Sequence, residues 1–356
     1  MISISDEVVA RGFEQVAFFE DATLGFAAIV GIHSTVLGPS LGGCRMNLYS
    51  SREAALVDVL RLAEGMTYKN SLAGLNIGGG KSVIIADRNV SGAKRRAIFE
   101  SFGRYVASLN GSYITAEDMG TSVEDMNFVL TQCSFVAGRD PAVGGGGDPS
   151  PYTAQGVVCG MRAALEVAFG SDSFSGRHIA VQGTGHVGLH LVRMLTELGA
   201  RVTVCDKNPE HAATVSKKFG AASVAPDAIY DVECDVFSPC AIGGTIQRET
   251  LKRLRTKIIA GAANNQLLTA EVEREIQARG ILYAPDFAIN AGGVILCADE
   301  REPGGFTPDR VNERVGRIYQ TLRQIFERSK SSGELTGQIA VSLARKRIDA
   351  NRASRK

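Results

Sequence analysis

The sequence lacks most of the features that mark a specialised class of protein. Neither sign of charge is in excess: 39 Lys and Arg stand against 38 Asp and Glu, a formal net charge of +1 at pH 7. That balance provides no field for gripping nucleic acid or an anionic membrane surface. No apolar run is long enough to span a bilayer, and no N-terminal apolar segment resembles a signal peptide. The seven cysteines make no C-x-x-C pair. Cys205, Cys234 and Cys297 lie among apolar neighbours, as reduced buried cysteines do. A cytoplasmic location is the expectation. The five histidines form no H-E-x-x-H pattern, so no metal is expected. There are no internal repeats, and the one low-complexity stretch is a short glycine run.

What is present suits a sizeable α/β protein. With 356 residues and 44% hydrophobic content, the chain can build two domains with separate cores. Its organising stretch is Lys69 to Ser82, where two lysines bracket an apolar segment ending in Gly78-Gly79-Gly80. Upstream, Ala55, Val59, Leu62 and Met66 recur at helical spacing. Downstream, residues 82–87 form a β-branched run that reads as a buried strand starting beside Lys81. A phosphate-binding loop, with the nucleotidase it would imply, fits the pattern poorly. It needs a glycine five residues before Gly80, where Leu75 stands, and a helix after the lysine, where a strand follows. Two readings stay open: a tight turn with solvated lysines, or a catalytic Lys81 in a closed cleft with Lys69 as its substrate-binding companion.

Along the chain, residues 1–23 read as an amphipathic helix and Gly25–His33 as a strand. The paired Gly42 and Gly43 offer exposed backbone groups or mark a β-bulge. A helix over 93–109 leads to a strand over 112–115 and a short loop, residues 116–120. Thr121 to Glu124 has the form of a capping box, so a helix starts there. Asp118 thus lies between a strand's C-terminal end and a helix N-terminus, where α/β folds place ligands. A plain loop carboxylate, and its neighbour Glu117 in the same role, stay open. Gly144–Gly147 with Pro149 and Pro151 reads as a flexible connection and a domain boundary. A helix follows over 153–169.

The strongest motif comes next. Residues 178–182 are a strand. Gly183-Thr184-Gly185-His186-Val187-Gly188 is G-x-G-x-x-G, a helix continues to Leu198, and a second strand over 201–205 ends at Asp206. This strand, glycine turn, helix, strand and acid form a complete dinucleotide-binding unit. The glycines serve the tight turn, the close approach of pyrophosphate and the packing of helix on sheet. The helix N-terminus offers N–H groups to phosphate. Asp206 would bond the adenosine ribose and repel a 2′-phosphate, favouring NAD. Lys207 beside it leans toward NADP. Strands over 234–238, 257–260 and 281–283, with a helix over 269–278, complete a doubly wound sheet. Asn264, Asn265 and Asn290 follow strands, where an amide can meet nicotinamide or substrate; turn positions are the alternative. Thr153 and Ala241 complete the candidate cofactor set. Helices over 309–330 and 335–348, rich in Arg and Lys, read as a solvated face returning to cover the other domain.

Five segments then carry a resemblance. Gly38-Pro-Ser-Leu-Gly-Gly-Cys-Arg-Met46, Gly65-Met-Thr-Tyr-Lys-Asn70, Gly78-Gly-Gly-Lys81, Thr115-Ala-Glu-Asp118 and Ala284-Pro-Asp-Phe-Ala-Ile-Asn-Ala-Gly-Gly293 resemble the glutamate/leucine/phenylalanine/valine dehydrogenases over nearly the whole chain. The resemblance implies NAD-dependent oxidative deamination of an L-amino acid to a 2-oxo acid and ammonia, by a homo-oligomer. It implies a substrate domain over 1–148, with a C-terminal helix from 331–356 packed back on it. A Rossmann-type NAD-binding domain over 149–330 follows, with the active site in the cleft between the two. Lys69 is similar to the lysine that pairs with the substrate carboxylate, Lys81 to the catalytic lysine, and Asp118 to the aspartate that exchanges protons with the amino group. A lysine crowded by another lysine in a dry cleft is suited to act as a base. Gly42 and Gly43 match the segment whose backbone meets substrate, and Asn265 or Asn264 the position near nicotinamide.

Glutamate-specific relatives carry a lysine before the Gly-Gly pair and a serine near the end of the Asn-Ala-Gly-Gly segment. Here those positions are Leu41 and Cys297. A second substrate carboxylate would be buried without a partner, which is costly. The side-chain pocket is therefore expected to be apolar, lined by Leu41, Met66, Ala116, Val294 and Cys297. The small Ala116 leaves room for a large side chain, and the Gly144–Gly147 run and Cys297 look more like phenylalanine dehydrogenases than leucine dehydrogenases. Phenylalanine is the expected substrate, with leucine or valine, or a non-catalytic NAD-binding regulator, as alternatives.

Overall fold

A computed structural model describes residues 4–354. The chain divides into two compact units. The first comprises the residues up to Pro149, Val294–Val311 and those from Ala344 onward; the second comprises Ser150–Gly293 and Asn312–Leu343.

The first unit opens with α1 (Ile4–Ala10) and strands β1 (Gln15–Asp21), β2 (Phe26–Ser34) and β3 (Ser40–Asn47). Helix α2 (Arg52–Leu72), β4 (Gly78–Ile85), α3 (Gly92–Ser108), β5 (Tyr113–Glu117) and α4 (Val123–Leu130) follow. The strands form one sheet in the order β1-β2-β4-β3-β5. Pairing is antiparallel from β1 to β4 and parallel from β4 through β3 to β5. Strand alternation sorts the core onto two faces. Ile29 and Val83 pack with Leu56, Val59 and Leu60 of α2. Their neighbours Ala28, Val30 and Ile84 pack with Phe99, Phe102 and Met126 on the other face. Ser51 caps α2 by accepting from the Ala54 N–H at 3.1 Å.

Several expectations are corrected here. Residues 15–21, read as part of a helix, are the edge strand β1, because pairing with β2 supplies backbone partners that a local pattern cannot reveal. Gly42 and Gly43 lie within β3 and pair with Thr115 and Ala116 of β5. Gly78–Gly80 belong to β4, so Lys81 sits in the middle of a strand and not at its start. The box capping α4 is Ser122 with Asp125, one residue later than expected. Ser122 N–H donates to Asp125 Oδ2 at 2.8 Å, and Arg95 grips both Asp125 oxygens at 2.6 Å.

The second unit begins with α5 (Ser150–Phe169), β6 (His178–Gln182), α6 (His186–Glu197), β7 (Arg201–Cys205), α7 (Pro209–Phe219), β8 (Ala222–Ser223) and β9 (Val236–Pro239). It continues through α8 (Arg248–Arg253), β10 (Ile258–Ile259), α9 (Glu271–Ala278), β11 (Leu282–Tyr283) and α10 (Asp286–Ile289). All strands are parallel in the order β11-β10-β9-β6-β7-β8. Order reverses at β6, the switch point where doubly wound sheets bind dinucleotides.

The last elements are α11 (Gly292–Asp299), α12 (Pro308–Gly316), α13 (Ile318–Ser332) and α14 (Thr336–Ser354). The single helix expected over 309–330 breaks after Gly316. Residues 294–311, expected in the NAD-binding domain, cluster with the first unit because buried Glu300 ties them there. Its carboxylate accepts from the backbone N–H of Gly138 at 3.0 Å and Gly146 at 2.7 Å. The glycine run is thus held by these bonds and is not a free linker. The end of α14 rests on α2: Ser71 Oγ donates to Ala344 O at 2.8 Å, and Arg347 donates to Leu75 O at 2.7 Å. Among the described residues, no helix is long and apolar enough to cross a membrane.

Candidate active site

Three neighbouring parallel strands bring the first unit's candidates together. Leu41, Gly42 and Gly43 lie on β3, Lys81 on β4 and Ala116 on β5, with Asp118 just past its end. The crowding of β3 against β4 explains their glycines. A Cβ on Gly42 would run into Gly80 O, and one on Gly79 into the backbone of Thr67 on α2. Asn70, fully buried on α2, donates to Gly78 O at 2.6 Å and Leu41 O at 3.3 Å, joining the two strands where their ladder lapses. Tyr113 OH donates to Gly42 O at 2.6 Å from below.

The charged centre is an ion chain. Lys81 Nζ lies 2.9 Å from Asp118 Oδ1, and Arg45 Nε lies 3.0 Å from Oδ2. Lys81 is only 4% exposed. Its ion-pair partner is the Asp118 carboxylate. Burial alone would raise the Asp118 pKa. The charges of Lys81 and Arg45, and the hydrogen bonds they donate, outweigh it and hold the carboxyl well below the usual range. Thr121 Oγ1 accepts from the Asp118 N–H at 2.8 Å, fixing the loop. Lys69, half-buried, lies in the last turn of α2. Arg45 carries no sequence signal of a role beyond its place two residues past Gly43.

The candidates for an apolar side-chain pocket belong to the same unit. Leu41 is buried, Met66 approaches Gly42, and Ala116 pairs with Gly43. Val294 and Cys297 lie on α11. Cys297 Sγ is 3.8 Å and Glu117 Cγ 3.9 Å from where a Cβ on Gly138 would sit. Burial pushes the Cys297 thiol up, with Glu300 and Glu117 adding to the shift. Burial and the carboxylates of Asp148, Asp118 and Asp125 push Glu117 up to about 7.

The second unit holds the cofactor candidates. Gly183 adopts φ +102°, open to glycine at little cost, and a Cβ there would meet Ala241. A Cβ on Gly188 would strike Gly183 O, whereas one on Gly185 would meet nothing within 4 Å. The turn is therefore packed tightly beneath and open above. Gly185 starts α6 without a side-chain cap, which leaves its first N–H groups for phosphate. His186 is exposed and Val187 half-buried. Asp206 Oδ2 accepts from the Thr184 N–H at 2.7 Å and its hydroxyl at 3.1 Å, and Oδ1 from the Asn208 N–H at 2.9 Å. Burial would raise its pKa, but these bonds lower it, so it stays a carboxylate able to accept from ribose. Lys207 is exposed, and Thr153 lies on the first turn of α5. Asn290 Nδ2 donates to Asn264 Oδ1 at 2.7 Å and Ala262 O at 3.0 Å, while its buried Oδ1 has no partner among the described residues. Asn265 is exposed at φ +51°. An open glycine turn, a charged acid past the second strand and an orphan amide acceptor fit a nicotinamide dinucleotide.

The family description "Glu/Leu/Phe/Val dehydrogenase, dimerisation domain" matches residues 14–135. The description "Glutamate/Leucine/Phenylalanine/Valine dehydrogenase" matches 144–209 and 206–353. The chain belongs to the glutamate/leucine/phenylalanine/valine dehydrogenase family. A leucine dehydrogenase of Bacillus subtilis (strain 168) is 49% identical over 343 residues, 96% of this chain and 93% of that one. A phenylalanine dehydrogenase of Bacillus thermotolerans is 42% identical over 342 residues, 95% and 88% of the two chains. The crystal structure of L-tryptophan dehydrogenase from Nostoc punctiforme is 38% identical and superposes with a TM-score of 0.84, covering 98% and 100%. The chain is an NAD-dependent amino-acid dehydrogenase of two α/β domains, and its cofactor is NAD(H).

Proposed function

We propose that this dehydrogenase acts on branched-chain aliphatic L-amino acids, leucine or valine, converting amino acid, water and NAD to 2-oxo acid, ammonium and NADH, reversibly. The observation that carries the reaction is the Lys81–Asp118 pair, 2.9 Å long, with Lys81 buried within β4 and Asp118 just past β5. Lys69 pairs with the substrate carboxylate, and the Gly42–Gly43 backbone holds the amino-acid core. Bound NAD would supply the hydride acceptor for Cα. Lys81, in its neutral form, takes a proton from the water that adds at that carbon, and Asp118 exchanges protons with the leaving nitrogen. Gly183 to Gly188 hold the pyrophosphate and Asp206 the ribose. Thr153, Ala241, Asn264, Asn265 and Asn290 complete the second unit's share.

The branched-chain reading replaces the expectation of phenylalanine for two reasons. Similarity is higher to the leucine dehydrogenase than to the phenylalanine dehydrogenase. The glycine run, offered as a phenylalanine signature, has a packing reason instead: a Cβ on Gly146 would strike Leu296. Phenylalanine stays a second reading, because Ala116 leaves the lining small beside Gly43. A homo-oligomer fits the dimerisation domain matched at 14–135, and seven free cysteines suit a cytoplasmic location.

Following NADH absorbance with a panel of L-amino acids tests the reading. Leucine and valine should give the highest kcat/KM, phenylalanine less, and glutamate almost none. Each misfit methylene is worth about 1–3 kcal/mol, so the aliphatic series should be graded. Phenylalanine ahead of leucine would restore the second reading. No turnover with any of them would leave a non-catalytic NAD-binding protein.

A further inference from the structure

Asp118 has two cationic partners, and the proposed chemistry uses only one. Arg45 reaches across from β3 and lies 3.0 Å from the oxygen that Lys81 does not hold. Its other end is anchored: Arg45 NH1 donates to Asp58 Oδ2 at 3.0 Å and Oδ1 at 3.3 Å. Tyr49 OH donates to Asp58 Oδ2 at 2.8 Å. Arg45 and Asp118 side chains are 15% and 18% exposed, so this is not a solvated surface pair. The planar guanidinium thus sits between two carboxylates, one fixed to α2 and the other beside the reacting lysine.

We propose that Arg45 is a positioning residue for Asp118: it fixes the plane of the carboxylate and keeps one oxygen engaged while Lys81 holds the other. The inference rests on the proton-exchange role given to Asp118. A carboxylate held by Lys81 alone could rotate about its Cβ–Cγ bond. It would then pair with the lysine through either oxygen or both, and lose its aim at a substrate nitrogen. With Oδ2 held by a fork that is itself anchored, rotation is blocked. Proton exchange at Asp118 then occurs from one geometry. Arg45 also balances charge. The groups that interact with Asp118 are Lys81 on β4, Arg45 and Cys44 on β3, Glu117 and Tyr113 on β5, and Tyr49 ahead of α2, with Asp58 reached through Arg45. Removing Arg45 would leave Asp118 with Lys81 as its remaining ion-pair partner among the described residues. Every proton in that group would become harder to remove.

The test compares Arg45→Gln, Arg45→Lys and Asp118→Asn in the full chain. Leucine deamination is measured across pH, and NADH binding by fluorescence serves as the folding control. Arg45→Gln should lower kcat more than it raises KM. It should also move the acid limb of the kcat profile to higher pH by about one unit, the size of effect of an opposite charge a few ångströms away. Arg45→Lys keeps the charge without the fork, so the limb should return toward its original place while kcat recovers only in part. An unmoved limb in a folded Arg45→Gln enzyme, or a lysine variant no better than the glutamine one, would overturn the proposal. Should Arg45→Gln fail to bind NADH, Arg45→Lys decides alone: a reduced kcat at an unshifted limb supports the role, and an unchanged kcat refutes it. Asp118→Asn separates the underlying reading. If that variant turns over normally, the proton-exchange role itself is wrong, whatever Arg45 does.

Discussion

Two of the glycine clusters in this chain, each of three glycines, have opposite purposes. Gly78, Gly79 and Gly80 lie inside β4, where added side chains would strike Ser34, Thr67 and Ser40. Gly183, Gly185 and Gly188 surround a turn after β6, and at Gly185 an added side chain would strike nothing. The first cluster exists to be filled by the protein itself. It lets α2 and β3 press onto β4 and so aims Lys81 at Asp118. The second keeps space for a ligand. A glycine-rich segment therefore says little until its neighbours are known: one cluster builds the acid–base centre, the other the cofactor seat.

The sharpest break of that comparison lies in the lysine that the first cluster positions. Lys81→Ala should lower kcat by about 10²–10⁴, the usual contribution of a positioned acid or base. Lys69→Ala should chiefly raise the KM for the amino acid, because it removes a carboxylate partner. Steady-state kinetics with leucine distinguish the two, and near-normal turnover in Lys81→Ala would remove the lysine from the chemistry. Next come the glycines themselves. Gly79→Ala overpacks against the α2 backbone and should destabilise the fold by about 1–3 kcal/mol. Gly185→Ala should change stability by no more than about 0.5 kcal/mol, yet weaken NADH binding. Denaturant unfolding and NADH titration of both variants check this pair. Equal losses of stability would erase the distinction.

The smallest effect concerns Glu117, held at about 7 by burial and by Asp148, Asp118 and Asp125. Its folded pKa lies above that of an unfolded glutamate. The neutral form therefore favours the fold at low pH, and that advantage is lost as pH rises from about 4 to 7. Glu117→Gln should then be more stable than the parent at pH 8 than at pH 5 in relative terms. Partial exposure limits the difference to about 1 kcal/mol. Unfolding midpoints of the two proteins that stay parallel across this range would contradict it.

The cofactor half was nearly all legible. Residues 178–182 and 201–205 are β6 and β7 as read, because the glycine signature, the helix and the acid are local and sequential. The first unit was harder. Strand β3 escaped because Gly42 and Gly43 interrupt its pattern, and glycine is uncommon in strands. Its place between β4 and β5 is set by pairing with residues far away in sequence. Residues 15–21 misread as helix for the same reason. The Lys81–Asp118 pair could be guessed only through family likeness. The Arg45–Asp118 pair, 73 residues apart, has no sequence signature beyond its motif neighbours.

The central claim is that the first unit carries the acid–base chemistry and the second the cofactor. Measuring NADH affinity and leucine turnover in one preparation of Asp118→Asn tests it most directly. The predicted result is an unchanged NADH dissociation constant with turnover reduced by about 10²–10⁴. Retained turnover, or NADH affinity lost together with it in a folded protein, would contradict the account.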